Sequence, residues 1–550
     1  MQRSTGILHR FISRFQVEIL AIALAAYFTL FLNSSLWDLL LRAQSGASPM
    51  ARWGFVLSMG LGVLTLQAAL VSLFLWGQTA KIVGVLVTVA ATITHYYNTK
   101  LGIIFDTIMI RNVLATNLKE ANELLTLGFF GSVALYSIAP ILLIVLYPVQ
   151  KRPILQLILA KMITVFLLFA ITIGTIAANF KAFSATMRNH RELRHLTLPT
   201  SPLVSFVRVM VVNTSQSHAV KQALDPSASR SEPSGNQRPL LTVVIVGETV
   251  RSQNWGLSGY ERQTTPRLSA LDRSELFNFP HAVACGTSTE VSVPCMFSDR
   301  GRERYDEQAI RSTESVLGLL HRLGVDVTWI DNQSGCKGVC DGLPTFESRA
   351  FASPDTAAQD EDGFDENLLV GFEKTMSAQA RDQVIVLHML GNHGPAYSKR
   401  YPQKFETFTP VCTDNNLGNC ERVMIVNAYD NAIIYTDFIV SELVEKLARL
   451  KDRNVNLIYV SDHGESLGEK GLYLHGAPYR FAPREQLHVP FVFWIPKETQ
   501  NSLKLDRHCL TNKSRQPTAH DLLPHTLLGL YKVNSSKYQA KWDFFKDCRG

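Results

Sequence analysis

Long apolar segments are confined to the first third of the chain. Five of them approach the roughly 20 residues that cross the hydrocarbon of a bilayer, and they run approximately over Phe15–Leu40, Phe55–Trp76, Ile82–Tyr97, Leu127–Tyr147 and Ile154–Phe180. No small-residue cleavage site closes the first segment, so we interpret it as a membrane helix and not as a signal peptide. The pattern predicts a membrane domain over residues 1–180, in which five spans place the two ends of the bundle on opposite sides.

Basic residues indicate how this bundle is oriented. They precede the first span and flank later spans on the same side, at Arg3, Arg10, Arg14, Lys81, Lys151 and Arg152. Because cytoplasmic loops are enriched in Lys and Arg, this side is predicted to be cytoplasmic. Three arginines beyond the last span run against the rule, at Arg188, Arg191 and Arg194. The part of the chain after the fifth span is expected to lie outside.

A polar pattern interrupts the apolar part between the third and fourth spans. Asn112, Thr116 and Glu120 recur every four residues within Asp106–Glu120. A continuous helix would place all three side chains on one face. Two interpretations stay open on this spacing: a solvated polar stripe, or a site at the membrane surface that holds a lipid headgroup.

The segment after the last span reads as a connection. Pro199–Ala223 mixes an apolar run with polar residues and is too short to span a bilayer, which is typical of an interfacial helix or strand. Asp225–Arg238 is rich in Pro, Ser and Gly and is predicted to be a flexible linker. We therefore expect residues 181–238 to connect the membrane domain to a soluble domain of residues 239–550.

The soluble part alternates short apolar runs with helical patterns. The predicted strands are Leu240–Gly247, Val325–Ile330, Val384–His388, Leu457–Ser461 and Val489–Trp494, and the predicted helices are Arg311–Leu323, Val426–Leu450 and Ala519–Leu530. This alternation predicts an α/β domain with a covered, mostly parallel sheet. Its roughly 310 residues are enough for a substantial core.

Composition and cysteine usage agree with this division. The hydrophobic fraction of 46% is slightly high for an entirely soluble chain, and the net charge of +7 comes without the basic and aromatic pattern of a nucleic-acid-binding protein. All eight cysteines lie in the soluble part, with spacings that fit no common zinc motif. An even count of this kind indicates an oxidising compartment. Successive pairing would give Cys285–Cys295, Cys336–Cys340, Cys412–Cys420 and Cys509–Cys548.

Two predicted strands end in residues that bind metals. Leu457–Ser461 is followed by Asp462 and His463, and the run that begins at Leu241 is followed by Glu248. Ligands bind at the carboxyl ends of parallel strands, where loops vary while the sheet holds them rigidly. Metal ligation and a plain turn or capping role both stay open on this pattern.

The loop between Cys285 and Cys295 offers the hydroxyls of Thr287, Ser288 and Thr289. A hydroxyl at a helix N-terminus is well placed to attack phosphorus, because free backbone N–H groups stabilise phosphate oxygens and an adjacent metal favours the alkoxide. An N-cap is the competing interpretation. Position alone does not choose among the three residues.

Three histidines and one lysine complete the candidate chemistry. His388 ends an apolar strand, whereas His393 and His475 lie in Gly-flanked loops, where histidines bind metals or exchange protons with a leaving group. His388 is equally well interpreted as a strand-end histidine. Lys337, between Cys336 and Cys340, is either a phosphate-neutralising group or a solvated lysine.

Six ordered motifs together give a specific resemblance. They are GETVR at 247–251, CGTST at 285–289, SVPCMFS at 292–298, DNQSGCKGVCD at 331–341, H-x4-H-GP at 388–395 and SDHGESLGE at 461–469. The set resembles the lipid A phosphoethanolamine transferases, which include the mobile colistin resistance enzymes, within the alkaline phosphatase-like superfamily. The likeness extends over essentially the whole chain. It implies a five-helix transmembrane bundle in the Gram-negative inner membrane and a periplasmic α/β/α domain of the sulfatase type.

The resemblance also implies a role for each candidate residue. Thr289 matches the family's nucleophile, and the zinc ligands match Glu248, Thr289, Asp462 and His463. The residues around the transferred phosphate or a second zinc ion match Lys337, His393 and His475, and a further pocket histidine matches His388. The residues associated with phosphatidylethanolamine binding match Asn112, Thr116 and Glu120. The additional cysteine pair that some members carry in the region of Phe351–Leu369 is absent from this sequence.

These expectations combine into a two-step hypothesis. A zinc-activated Thr289 attacks phosphatidylethanolamine, diacylglycerol leaves, and a lipid A phosphate takes the phosphoethanolamine, which confers resistance to cationic peptides such as polymyxin and colistin. Zn²⁺ is the expected cofactor, at one site with a second possible. The expected partners are the phosphatidylethanolamine donor, the lipid A acceptor and membrane lipids, without nucleic acid, and the chain is expected to be a monomer.

Other functions remain as alternatives. The acceptor is either lipid A or a core sugar of the lipopolysaccharide, such as heptose or Kdo. A sulfatase-like phosphoester hydrolase would use water as acceptor, and the sulfatase case usually has a C-x-P-x-R segment that Cys285 and Cys295 do not provide. A glycerol-phosphate polymerase of the lipoteichoic acid synthase kind is disfavoured by the cysteines and the polar stripe. A lipid-binding scaffold that has lost catalysis would lack ligands that are all present here.

Overall fold

The computed structural model describes residues 15–44, 48–116, 118–151, 153–216, 221–231, 238–352, 363–377 and 381–550. The chain divides into two compact units, Met1–Ile110 with Leu124–Ser215, and Arg111–Glu123 with Gln216–Gly550. We keep the boundaries 1–180, 181–238 and 239–550 as a proposal for the functional division. Residues outside the described ranges include Arg3, Arg10, Arg14, Arg152 and parts of the predicted linker and of Phe351–Leu369.

Five apolar spans in the first unit confirm the predicted bundle. Four are helices long and apolar enough to cross a membrane, at Pro49–Phe74, Gly77–Leu101, Leu127–Leu146 and Ile154–Ala178. The fifth is the pair Gln16–Leu32 and Ser34–Ala43, whose two helices are bent by 64°. The first predicted span is therefore a bent pair of helices and not one straight helix.

Asn33 accounts for this bend. Its Nδ2 donates hydrogen bonds to the carbonyl oxygens of Phe28 and Leu198, each at 2.8 Å, and its Oδ1 accepts from the Leu198 N–H at 2.8 Å. The preceding turn, Phe28–Leu32, is a π-helix. The buried amide satisfies backbone groups that the break would otherwise leave without partners in an apolar environment.

Shorter helices lie between the third and fourth spans, at Thr107–Ala115 and Leu118–Leu124, and after the last span, at Phe180–Asn189 and Thr200–Gln216. The segment Pro199–Ala223, predicted to be a helix or a strand, contains the helix Thr200–Gln216. Asn112, Thr116 and Glu120 do not share one helix, because the first helix ends at Ala115 and the next begins at Leu118. Thr116 lies at this break and its Oγ1 donates to the Asn112 carbonyl at 2.7 Å.

The second unit is built on a seven-stranded sheet, which confirms the predicted fold class. The strands of the whole unit, in chain order, are β1 Ser229–Arg230, β2 Leu240–Gly247, β3 Leu276–Asn278, β4 Ala282–Val283, β5 Asp326–Asp331, β6 Thr345–Glu347, β7 Gln383–His388, β8 Asn454–Ser461, β9 Ser466–Leu467, β10 Tyr473–Leu474, β11 His488–Val489, β12 Phe491–Trp494, β13 Thr518–Ala519 and β14 Val533–Asn534. The main sheet has the order β3-β12-β8-β2-β7-β5-β6. Strands β8, β2, β7, β5 and β6 are parallel neighbours, and β12 is antiparallel to both its neighbours.

Helices cover this sheet, at Pro266–Ala270, Thr289–Met296, Glu307–Ser312, Val316–Arg322, Glu366–Thr375, Arg422–Ala448, Arg484–Leu487, Lys497–Ser502, Arg507–Ser514 and Leu522–Leu530. Arg422–Ala448 is long and apolar enough to pass as a membrane span. It carries the buried carboxylates of Asp430 and Asp437, which accept hydrogen bonds from Asn254 and from the Leu268 N–H in the same unit. These contacts identify it as a core helix of the α/β domain.

Several predicted elements of this unit differ in extent from the structure. The predicted helix Arg311–Leu323 is two helices that break between Ser312 and Val316, and the predicted strand Val489–Trp494 is interrupted at Pro490, which cannot donate to a ladder. The predicted helix from Ala519 begins instead at Leu522, after β13. All four predicted cysteine pairs form disulfides, at Cys285–Cys295, Cys336–Cys340, Cys412–Cys420 and Cys509–Cys548.

Candidate active site and metal centre

Three adjacent parallel strands end together at one edge of the sheet. In the register of the sheet, Gly247 at the end of β2 pairs with Ser461 at the end of β8, and Val246 pairs with His388 at the end of β7. The residues that follow β2 and β8 are Glu248 and the pair Asp462 and His463. The sheet therefore brings residues far apart in sequence to one place.

Glu248, Asp462 and His463 form a cluster of metal-ligand type. One donor atom from each lies within 4.8 Å of the others, and all three side chains are fully buried. His463 Nε2 lies 3.3 Å from Asp462 Oδ2 and 3.5 Å from Glu248 Oε1. Two carboxylates and an imidazole are donors that suit Zn²⁺.

The two buried carboxylates of this cluster favour a bound cation. Burial, and then the charge of Asp462, raise the pKa of Glu248 well above its usual value, and burial also raises the pKa of Asp462. Asp462 Oδ2 accepts no well-formed hydrogen bond from the described residues. Burial and the nearby His475 lower the pKa of His463, which favours the neutral imidazole that a metal binds. The donor set thus fits a divalent cation.

Thr289 is the one hydroxyl of its loop that contacts this cluster. Its Oγ1 donates toward Glu248 Oε1 and Oε2, at 3.2 and 3.1 Å, and lies 3.4 Å from His463 Nε2. Thr287 Oγ1 instead donates to the Ala477 carbonyl at 2.7 Å, and Ser288 precedes the helix as its N-cap residue. Thr289 opens the helix Thr289–Met296, whose first N–H groups have no partner within the helix.

A second group of potential ligands adjoins the first through His463. It consists of His463, Glu465 and His475, and Glu465 Oε2 lies 2.8 Å from His475 Nδ1. Burial by itself lowers the pKa of His475, but the carboxylates of Glu465, Asp462 and Glu120 together raise it above its usual value. The ring centroids of His463 and His475 lie 4.4 Å apart, and His393 follows at 5.7 Å from His475. The three imidazoles therefore form a row.

His388 occupies the sheet beside this row. Its Nδ1 lies 2.8 Å from Asp331 Oδ1, both side chains are buried, and its Nε2 has no hydrogen-bond partner among the described residues. The charge of His388 lowers the pKa of Asp462 against the effect of burial. His388 is therefore near the cluster without belonging to it.

Lys337 and Glu120 are also brought toward the site. Burial raises the pKa of Glu120, while the nearby charges of Lys337, His475 and Arg400 lower it. Lys337 has a backbone φ of 52° and its Nζ donates to the carbonyl oxygen of Ser334 at 2.8 Å. Glu120 and His393 both line a cavity of about 340 Å³. Asn112 and Thr116 make no contact with the cluster in the described part of the chain.

The site contains two residues that the sequence patterns did not identify, Glu465 and Arg400. Glu465 lies within the motif SDHGESLGE, and its position two residues after His463 in a loop at the sheet edge was the available signal. Arg400 donates from Nε to the His393 carbonyl at 2.7 Å and is paired with the buried carboxylate of Glu123. No spacing in the sequence relates Arg400 to Glu123, so only the folded chain reveals this pair.

Two family models match the chain. The model of phosphoethanolamine transferase EptA/EptB matches residues 63–214, and the sulfatase model matches residues 241–533. The second match covers more than half of the chain. Together they span both the apolar part and the α/β domain.

Relatives and a solved structure cover nearly the whole chain. Phosphoethanolamine transferase EptA of Escherichia coli strain K12 is 36% identical over 88% of each chain, and phosphatidylethanolamine transferase Mcr-1 of Escherichia coli is 33% identical over 99% of this chain and 100% of its own. The integral membrane protein lipooligosaccharide phosphoethanolamine transferase A from Neisseria meningitidis matches with a TM-score of 0.90 at 32% identity, covering 96% of this chain and 98% of its own.

These matches establish the class of the enzyme. Identity above 30% over most of both chains excludes a likeness of fold alone, and the matched structure contains the apolar spans as well as the α/β domain. The chain is a multi-pass protein of the Gram-negative inner membrane with its catalytic domain in the periplasm. It belongs to the phosphoethanolamine transferase family of EptA and Mcr, and its α/β domain matches the sulfatase family model.

Proposed function

We propose that this enzyme transfers phosphoethanolamine from phosphatidylethanolamine to phosphate groups of lipid A, through an ester on Thr289. The contact of Thr289 Oγ1 with both carboxylate oxygens of Glu248, inside a buried cluster of metal-ligand type, carries the proposal. The name of Mcr-1 as a phosphatidylethanolamine transferase supports the donor, and the name of the Neisseria enzyme supports a lipooligosaccharide acceptor.

The donor set fits one zinc ion. Glu248, Asp462 and His463 would hold it together with the hydroxyl of Thr289, and the acceptor atom Asp462 Oδ2, which lacks a hydrogen bond among the described residues, is a free ligand position. Bound zinc supplies positive charge that lowers the pKa of a hydroxyl beside it. Glu465 and His475 offer donors for a second ion.

In the first half-reaction, the Thr289 hydroxyl passes its proton to the Glu248 carboxylate and Oγ forms a bond to phosphorus, while the bond between phosphorus and the diacylglycerol oxygen breaks. The leaving oxygen needs a proton, and His475 is suited to donate it because Glu465 favours its protonated form. Lys337 and His393 would offset the negative charge that develops on the phosphate oxygens. In the second half-reaction, an oxygen of a lipid A phosphate attacks phosphorus, the bond between phosphorus and Thr289 Oγ breaks, and Oγ takes its proton back from Glu248.

The membrane-proximal residues would hold the donor. We assign phosphatidylethanolamine binding to Asn112, Thr116 and Glu120, of which Glu120 offers a carboxylate for the ammonium group. His388 would line the same pocket. Support comes from Glu120, whose carboxylate lies within electrostatic reach of Lys337 and His475.

The product explains a biological effect. Each transferred phosphoethanolamine adds an ammonium group to lipid A and reduces its attraction for cationic peptides such as polymyxin and colistin. We propose that the enzyme acts as a monomer, with membrane lipids and without nucleic acid.

Mass spectrometry of lipopolysaccharide from cells with and without the enzyme tests the proposal. Lipid A should gain phosphoethanolamine only with the active chain, and Thr289→Ala should abolish the product while Ser288→Ala retains it. Modified core sugar beside unmodified lipid A would redirect the acceptor. Full activity of Thr289→Ala would contradict the covalent route, and release of free phosphoethanolamine alone would indicate a hydrolase.

A further inference from the structure

We infer that His520 is a positioning residue that ties the nucleophile loop to the end of strand β8. The inference rests on the proposed function, because it concerns how Thr289 is held beside Glu248, Asp462 and His463. His520 lies between β13 and the helix Leu522–Leu530, and its side chain is fully buried.

Both ring nitrogens of His520 bond to backbone groups of the active-site region. Nδ1 accepts from the Cys285 N–H at 3.1 Å, and Nε2 donates to the Ser461 carbonyl at 2.9 Å. The N–H of Cys285 is only a donor and the carbonyl of Ser461 is only an acceptor. The ring is therefore neutral, with its proton on Nε2. One side chain thus links the nucleophile loop to the end of strand β8.

On the β8 side, the bond reaches the metal-ligand residues through Ser461. Ser461 directly precedes Asp462 and His463, and its Oγ donates to the His463 carbonyl at 3.0 Å. The same Oγ accepts from the Val250 N–H at 2.8 Å, two residues after Glu248. A shift of the Ser461 backbone would therefore move all three members of the cluster.

On the other side, the bond reaches Thr289 through Cys285. Cys285 is four residues before Thr289 and forms a disulfide with Cys295, in the helix that Thr289 begins. The next residue, Gly286, donates from its N–H to Ser292 Oγ of that helix at 2.8 Å. Displacement of Cys285 would consequently be transmitted to Thr289, and reaction rates depend steeply on the position of a nucleophile.

The chemistry of His520 fits positioning and not proton transfer. Both nitrogens are occupied by backbone groups, so neither can reach a substrate. Burial lowers the pKa of His520 to about 4, although the Ser461 carbonyl and Asp462 oppose this effect. The side chain is not needed for packing alone, because an apolar residue would fill the same space without burying two polar atoms.

His525 provides a matched control in the adjoining helix. Its side chain is almost fully buried, at 1% exposure, and its Nδ1 accepts from the Gln539 N–H at 3.3 Å. It has no described contact with the nucleophile loop or with β8. Replacing His525 therefore disturbs the same part of the core without touching the bridge.

The test measures kcat, KM, Tm and bound zinc for the full-length enzyme, with release of diacylglycerol from a fluorescent phosphatidylethanolamine as the assay. His520→Leu should lower kcat by about 10- to 100-fold relative to the wild type. KM and the zinc content should each change by less than about twofold. His520→Asn keeps an acceptor near Nδ1 and His520→Gln keeps a donor near Nε2, so each should recover part of kcat. His525→Leu should lower Tm but retain kcat.

Each other outcome has a defined meaning. If kcat of His520→Leu equals that of the wild type, or if His525→Leu loses as much kcat, the inference is overturned. If His520→Leu does not fold, the test uses His520→Asn and His520→Gln instead. A kcat equal to that of the wild type in both of these variants would overturn the positioning role of His520. The proposed function fails separately, when Thr289→Ala remains active. Inactive Thr289→Ala beside fully active His520→Leu overturns only the role of His520.

Discussion

Asp331 Oδ1 and His388 Nδ1 lie 2.8 Å apart, and both side chains are buried at the carboxyl edge of the sheet. Burial by itself would raise the pKa of Asp331, but His388, the Trp329 side chain and the Gly335 N–H together lower it to about 2. The folded-state pKa thus lies below the usual value of an aspartate in an unfolded chain. Its stabilising contribution is therefore present above about pH 4 and is lost as the pH falls toward 2.

Replacing Asp331 with Asn should expose this contribution. A shift of nearly two pKa units corresponds to about 2.5 kcal/mol, so Asp331→Asn should lower the free energy of unfolding by about that amount at pH 7 and by about half as much near pH 3. Denaturant unfolding at both pH values is the measurement. Asp326→Asn, at the start of the same strand, is the control and should change little. Equal stability of Asp331→Asn and wild type at pH 7 would contradict the assignment.

Individual site residues differed in how far the sequence could reveal them. Glu248, Asp462 and His463 were predicted as candidates because each directly follows an apolar strand, and the register of β2 and β8 brings them together. The choice of Thr289 over Thr287 and Ser288 required the resemblance, since only folding shows which hydroxyl points to Glu248. Glu465 contacts His475, and its position two residues after His463 was a usable signal, whereas no spacing in the sequence relates Arg400 to His393.

The helix Thr289–Met296 is an element whose position depends on a disulfide. Cys285–Cys295 encloses Thr289, whereas Cys412–Cys420 closes a loop of similar length, with sequence separations of 10 and 8. Loop entropy predicts a similar loss of stability for either pair, about 2.5 to 3 kcal/mol. Only the first pair should also affect the geometry of the nucleophile.

Double substitutions to Ser separate these two effects. Cys285→Ser with Cys295→Ser and Cys412→Ser with Cys420→Ser should lower Tm by similar amounts. The first variant should lose most of its kcat at a temperature where it is folded, and the second should retain it. Equal kcat in both variants would show that the first disulfide contributes stability alone.

Element boundaries were less predictable than element types. Hydrophobic runs located five of the seven strands of the main sheet and missed the short edge strands β3 and β6. The predicted strand Val489–Trp494 divides at Pro490 into β11 and β12, which belong to different sheets. The bend after Leu32 depends on Asn33 reaching Leu198, a contact between distant segments. The break at Thr116 likewise overrides a four-residue spacing that was typical of one helix. Local patterns cannot encode these tertiary contacts.

At the scale of the molecule, a segment between two membrane spans belongs to the catalytic unit. Arg111–Glu123 groups with Gln216–Gly550, and the ion pairs Arg111–Glu307 and Glu123–Arg400 hold it there. The second pair is almost fully buried, and Asn415 Nδ2 also donates to the Glu123 carbonyl at 2.9 Å. The proposed donor-binding residues are thus attached to the same unit as Thr289.

Breaking the buried pair should be costly. Glu123→Gln leaves Arg400 buried without its counter-charge, which we expect to lower the free energy of unfolding by about 3 to 5 kcal/mol and to raise KM for phosphatidylethanolamine. Lys404→Gln removes an exposed pair with Glu366 and should cost no more than about 1 kcal/mol. Unfolding and steady-state kinetics of the two variants provide the comparison. If Glu123→Gln and Lys404→Gln lower the free energy of unfolding and change KM equally, the Glu123–Arg400 pair does not attach Arg111–Glu123 to the catalytic unit.

We propose that the phosphoethanolamine group passes through Thr289 on its way from donor to acceptor. The most direct measurement is peptide mass spectrometry of the purified full-length enzyme after incubation with phosphatidylethanolamine in the absence of an acceptor. We predict phosphoethanolamine on Thr289 and on no other residue of Cys285–Cys295, with loss of the modification when lipid A is added. Diacylglycerol release and lipid A modification without any adduct on Thr289 would contradict the account.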